Sequence, residues 1–196
     1  MHGMNDEVDM RRYGAIRTVM PITTITFGLG YLAIIGVPPF AGFYSKDKII
    51  EVAFNAGGVK GIIFGGAALL GAAITAFYMS RVMLLTFAGN KRWAGDAHPH
   101  ESPILMWAPM AVLAVGSVTS GFLLNKGSAM VNWLAPVVDK HHHEHSEVIP
   151  AATVSLMAIA AVVIGVASAV MKYRGELAPV APANVSIWTR FVRRDL

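Results

Sequence analysis

The sequence predicts an all-α fold: a polytopic transmembrane helix bundle of about four spans, the first of them broken at Pro38-Pro39. Three observations predict it. Of 196 residues, 55% are hydrophobic and 14% charged, against about 25% charged in soluble domains. The charges sit in short islands, and the stretches 18–45, 61–80, 102–125 and 148–171 contain no Asp, Glu, Lys, Arg or His. Each stretch reaches the roughly 20 helical residues that cross a hydrocarbon core of about 30 Å, and none alternates with the period of a strand. The same composition excludes disorder. The absence of cysteine excludes disulfide scaffolds, thiolate metal sites and cysteine nucleophiles.

Residues 1–17 read as a cytoplasmic loop. They carry Asp6, Glu7, Asp9, Arg11, Arg12 and Arg17, with no apolar core ahead of a cleavage site, so a secretory signal fits poorly. Residues 18–56 read as one crossing in two pieces. An apolar helix runs from Met20 to Gly36 and meets Gly36-Val37-Pro38-Pro39-Phe40-Ala41-Gly42. Two successive prolines remove two backbone donors, and Val37 before them is pushed out of the α region. Helix is expected again from Phe43 to about Asn55, where Ala56-Gly57-Gly58 stops it.

Residues 61–88 form the next span. Its glycines 65, 66 and 71 read as points of close helix packing rather than a phosphate loop, since no Walker lysine follows. Arg81 falls about 30 Å along this helix, near the surface, where it snorkels to headgroups or meets a charged site. Residues 102–125 form a third span, and Glu101 and Ser102 ahead of Pro103 read as the start of that helix. Residues 126–147 are a His-rich non-cytoplasmic loop. Its run from His141 to His145 is either a solvated, pH-sensitive segment or an opportunistic metal binder, and no defined metal site is expected. Residues 148–172 are the last span, and 173–196 a basic cytoplasmic tail.

Four crossings place 1–17, 88–101 and 172–196 on one side. That side holds Arg11, Arg12, Arg17, Lys91, Arg92, Lys172, Arg174, Arg190, Arg193 and Arg194, against Lys60, Lys126 and Lys140 opposite. The positive-inside rule then puts both termini in the cytoplasm. The net charge of +4 is an orientation signal. Without aromatic residues interleaved in a basic stripe, it is no nucleic-acid footprint.

The resumed helix carries Ser45-Lys46-Asp47-Lys48 and Glu51. Ionisable residues continuous with a membrane segment are costly and usually face protein or a water-filled cavity. At 100° per residue, Asp47, Lys48 and Glu51 share one arc, whereas Lys46 lies at the centre of another formed by Phe43, Ile49, Ile50 and Ala53. An ammonium on an apolar face is partly desolvated and can exchange protons near neutral pH, while a neighbouring carboxylate favours its charged form. Two readings stand: a proton-exchanging site at Lys46 and Asp47, or an interfacial helix whose Lys46 and Lys48 snorkel to headgroups.

The string from Gly36 to Ile50, including Pro38-Pro39 and Ser45-Lys46-Asp47-Lys48, resembles the antiporter-like membrane subunits of respiratory complex I, and within them the bacterial L type. So do His2-Gly3-Met4-Asn5-Asp6-Glu7 with Asp9-Met10-Arg11-Arg12, then Thr75-Ala76-Phe77-Tyr78-Met79-Ser80-Arg81, and His98-Pro99-His100-Glu101-Ser102-Pro103. The likeness covers residues 1 to about 125. It implies that 20–55 correspond to that family's second broken helix, that Lys46 matches the lysine ending its proton path, and that Asp47 matches the acid beside it.

The resemblance also implies other membrane subunits of the complex and the lipid bilayer as partners, in a bacterial plasma membrane. It implies no redox centre, and the sequence has neither cysteine for an iron–sulfur cluster nor a dinucleotide fingerprint. No cofactor is expected. The family's L type is longer at both ends, so the sequence is expected to be a fragment that alone forms no complete proton path. Within it, 188–194 resembles the approach to a lateral helix. A subunit of a multisubunit cation/proton antiporter, or a non-transporting anchor or assembly module, are the competing readings.

Overall fold

A computed structural model describes residues 2–93, 95, 97–134, 136–137 and 149–174. The run from His141 to His145 and the tail residues Arg190, Arg193 and Arg194 lie outside the described residues. Among those described, all regular structure is helical. Three short 3-10 turns within residues 2–18 precede α1 (Pro21–Ile35), α2 (Ala41–Asn55), α3 (Gly58–Thr86), α4 (Ile104–Asn125), the single-turn α5 (Ala129–Leu134) and α6 (Ala151–Tyr173). By length and composition α3, α4 and α6 can each cross a membrane, and α1 is a shorter apolar helix of 15 residues. At 1.5 Å per residue α1 and α2 are each about 22 Å long, so neither half spans the hydrocarbon alone.

The break forms as the prolines require. Gly36 ends α1 in the left-handed region at φ 85°, and its N–H turns back to the carbonyls of Leu32 and Ala33. Val37 adds a bond to the Leu32 carbonyl at 3.1 Å. The Pro38–Pro39 bond is cis. Helix resumes at Ala41, two residues ahead of the expected Phe43. Its first turn lies beside the last turn of α1, so close that a Cβ on Gly42 would overlap the Ala33 carbonyl oxygen. Small residues at 41 and 42 permit that overlap, which a pattern-based reading places in the loop.

Two positive-φ glycines, Gly57 and Gly58, then reverse the chain within a few residues. The α3 helix therefore starts at Gly58, ahead of the expected 61. It returns along α2 with Gly61 against the Phe54 carbonyl and Gly65 against the Phe54 ring. The expected close packing holds at Gly65 but not at Gly66 or Gly71, where a Cβ would meet nothing within 4 Å. The longest packing seam joins α3 to α6. Gly165 lies against the backbone of Ala73 and Phe77, and Ala72, Ala76, Ala158, Ala161 and Ala169 are buried. The α4 helix closes the bundle, with Gly121 seated on Ala41 and Tyr44. Prolines 103 and 150 occupy the N-cap positions of α4 and α6 and set those starts at 104 and 151 rather than 102 and 148.

At one end of the bundle the N-terminal segment is woven into the α3–α4 connection. Gly14 donates to Thr86 at 3.2 Å, Ala15 to Ala88 at 3.1 Å, Arg92 to Tyr13 at 3.1 Å and His100 to Gly3 at 3.1 Å. Met4, Tyr13, Ile16, Met20 and Phe87 form a core beneath them. The described residues of segments 1–17 and 88–101 thus share one end. The C-terminal turn of α6 lies there too, with Arg81 5.5 Å over the Tyr173 ring. Arg81 therefore meets an aromatic face, not a carboxylate. Outward faces are apolar along whole helices, as at Ile62, Ile63, Leu70 and Ile74 of α3 and Leu105, Val112 and Leu113 of α4. Such a distribution suits lipid or neighbouring apolar helices and not water.

Candidate functional site

The double proline creates the site before any side chain does. In an unbroken helix the Ile34 carbonyl would accept from the N–H of residue 38, and that of Ile35 from residue 39. Both positions are proline and have no N–H. The C-terminal end of α1 therefore presents a free carbonyl at the break, where the macrodipole is negative. The Lys46 ammonium donates to the Ile34 carbonyl. Its stem passes Gly36, where a Cβ would sit 3.4 Å from Lys46 Cδ. A glycine at the turn thus lets a lysine from α2 cap α1.

Lys46 is half-buried. With Ile49 and Ile50 it faces Ala68, Gly71, Ala72 and Thr75 of α3 across a cavity of about 240 Å³. Ile49 and Ile50 are the apolar arc that the spacing assigns to Lys46. A second cavity of about 350 Å³, between α1, α3 and α4, includes Ile34, Tyr31 and Ser117 in its lining. Tyr31 and the buried Ser80 share a hydrogen bond of 2.8 Å beside it. The ammonium and its acceptor thus stand between two spaces.

Asp47 takes another direction. Its Oδ2 accepts from Ser155 Oγ of α6 at 2.5 Å. No ion pair joins Lys46 to Asp47, and among the described residues the only acid–base pair on α2 is Lys48 Nζ to Glu51 Oε2, at 2.8 Å. The arc that groups Asp47, Lys48 and Glu51 is correct as an arc, but Asp47 is shared with a neighbouring helix. Sequence reasoning missed two partners. The Ile34 acceptor was legible by counting four residues back from Pro38. Ser155 carried only the general rule that a hydroxyl in a membrane helix needs a partner.

Glu101 overturns its expected role at the start of α4. It instead accepts from Ile22 N at 2.9 Å, Thr23 N at 3.3 Å and the Thr23 hydroxyl, capping α1 from 78 and 79 residues away. Pro103 supplies the N-cap position of α4, whereas α1 begins with Pro21 and no capping side chain of its own. The α1 helix therefore carries a carboxylate at its N-terminus and an ammonium at its C-terminus, each matched to its macrodipole. Among the described residues no three His, Cys, Asp or Glu side chains gather as a metal site.

Residues 1–75, which include the break, Lys46 and Asp47, match the family described as "NADH:quinone oxidoreductase/Mrp antiporter, TM". The whole chain is similar to NADH-quinone oxidoreductase subunit L of Mycobacterium tuberculosis, 54% identical over 197 aligned residues. It is 44% identical over 63% of its length to NAD(P)H-quinone oxidoreductase chain 5 of Picosynechococcus, and 32% identical over 90% to subunit L of Rickettsia bellii. The chain spans 31%, 22% and 28% of these relatives, respectively.

Proposed function

From a chain homologous along its whole length to subunit L of NADH-quinone oxidoreductases, whose residues 1–75 carry that transmembrane family's module, we propose a proton-translocating membrane segment with Lys46 as its proton-exchanging group. One observation carries the reading. The ammonium rests on a backbone carbonyl freed by Pro38, not on a carboxylate, and faces a cavity on its other side. A carbonyl holds the charged form by a hydrogen bond and keeps no proton when the amine releases one. Lys46 can thus exchange with water entering the break without a carboxylate competing for the proton. A positive charge arriving on an adjacent element disfavours the ammonium and drives its proton off; withdrawal of that charge permits reloading. Asp47, one residue on, supplies a fixed negative field.

In this reading electron transfer and quinone chemistry occur outside the chain, which acts as a non-redox part of the enzyme complex. Its partners are the other membrane subunits of the complex and the bilayer, in a plasma membrane with residues 1–17 and 88–101 facing the cytoplasm. The family description also covers Mrp antiporters, so a cation/proton antiporter segment is the second reading.

The test is Lys46→Ala and Lys46→Arg in the gene that encodes this chain, read as NADH-driven proton uptake by inside-out membrane vesicles. Lys46→Ala should abolish the uptake attributable to this segment. Lys46→Arg should also fail, because a guanidinium does not deprotonate in proteins. Undiminished uptake in Lys46→Ala would sink the proposal. Proton movement driven by an imposed sodium gradient, and not by NADH, would select the antiporter reading.

A further inference from the structure

Most hydroxyls in these helices bond within their own helix; Ser155, like Thr23 of α1, does not. Thr75, Ser80, Thr119 and Ser168 each donate to the carbonyl four residues back in their own helix, at 2.6–3.0 Å. That local bond is the usual resort of a hydroxyl in an apolar helix. Ser155 instead sends its proton across to α2, to Asp47 Oδ2 at 2.5 Å. Asp47 has no other hydrogen-bond or ion-pair partner among the described residues. The contact sits on rigid ground: Ile50, one turn beyond Asp47, packs with Val154 and Ala158 of α6 and Ala72 of α3, all buried.

We propose that Ser155 is a positioning residue for the α2 site: its hydroxyl holds the Asp47 carboxylate on the α2–α6 interface, away from Lys46, and so leaves the ammonium to the end of α1. The inference rests on the reading of Lys46 and Asp47 given above. Without the hydroxyl, the carboxylate loses the only donor it has among the described residues. Lys48, which shares the Asp47 arc, is engaged by Glu51 at 2.8 Å; the Lys46 ammonium is then the available counter-ion, and an ion pair with it would hold the proton that the site must release. The role is electrostatic: an alanine at 155 fits the seam, which is already built of alanine and valine.

The experiment uses Ser155→Ala, Ser155→Thr, Ser155→Cys, Asp47→Asn and the Ser155→Ala/Asp47→Asn pair, each in the gene that encodes this chain. Assembly of the complex is checked on native gels, and NADH-driven proton uptake by inside-out vesicles is measured. Ser155→Ala should slow uptake on the order of tenfold, the weight of one hydrogen bond to a charged group. Ser155→Thr keeps the hydroxyl and should restore uptake. Ser155→Cys, a weaker donor of similar size, should fall between them. In the Asp47→Asn background Ser155→Ala should add no further loss, because the two residues act as one unit. A Ser155→Ala variant at the parental rate, or one whose loss is the same with and without Asp47, overturns the inference and leaves the site reading intact. An Asp47→Asn variant at the parental rate overturns the site reading itself.

Discussion

Successive residues of a helix point about 100° apart, and this angle sends Lys46 to the end of α1 and Asp47 to α6. The division between the two was legible in the sequence, since the arcs already set Lys46 apart from its charged neighbours. Ser155 was not, because its contact joins residues 108 apart and periodicity does not say which hydroxyl faces which carboxylate. Outside the spans, one local motif makes a sharper prediction. Asp9 accepts from Arg11 Nε at 2.9 Å, Nη2 at 2.7 Å and the Arg11 backbone N–H at 3.0 Å. The Arg11 side-chain bonds, then its backbone bond, hold the Asp9 carboxyl down at about 2, from an ordinary 3.8. A depressed carboxyl contributes to stability above its unfolded value and loses that contribution as pH falls through the folded one. The 9–12 turn should therefore keep its form down to about pH 4 and loosen between there and about pH 2. Arg11→Ala should return the Asp9 titration toward 3.8 in a carboxyl-resolved NMR measurement. An Asp9 that still titrates near 2 in that variant would show that Arg11 is not the cause.

At the scale of elements, the sequence located the break and the ends of the helices to within a few residues. It missed that the two halves overlap. The prolines announce that α1 must stop, but the distance between halves is set by what touches, and there Gly42 meets the backbone of Ala33. Glycine to alanine inside an exposed helix ordinarily gains about 0.5–1 kcal/mol. At Gly42 the added methyl meets a carbonyl oxygen that belongs to the backbone and cannot rotate away. The steric cost, typically about 1–3 kcal/mol for overpacking, exceeds the propensity gain. Gly42→Ala should push α2 off α1, draw the Lys46 ammonium from the Ile34 carbonyl, and lower both thermal stability in detergent and proton uptake in vesicles. Gly66→Ala and Gly116→Ala, with open space around them, are the matched controls and should lower neither. If Gly42→Ala behaves like its controls, the overlap is not what positions Lys46.

For the whole molecule, the count of lysines and arginines assigned an orientation without any structure, and the fold brings together the described segments that this assignment needs on one side. The described residues of 2–20 and 86–100 are tied by five backbone hydrogen bonds. Arg92 adds bonds to Arg11 O at 2.9 Å and Leu85 O at 2.5 Å. At the far end, the α2–α3 turn stands beside the start of α6, where Ile149 N donates to the Asn55 side chain at 3.3 Å. The bundle therefore has two ends separated by the length of α3, about 43 Å for its 29 residues. A bilayer can lie between them in either sense, and the basic residues choose the sense. This chain contains no cysteine, so single introduced thiols can test the choice against a parent without them. Asn90→Cys lies in the α3–α4 connection, and Val59→Cys at the start of α3, where the native side chain is 73% exposed. With a membrane-impermeant maleimide added to intact cells, Val59→Cys should label and Asn90→Cys should not; inside-out vesicles should give the reverse. Labelling of Asn90→Cys from outside, with Val59→Cys protected, would invert the bundle.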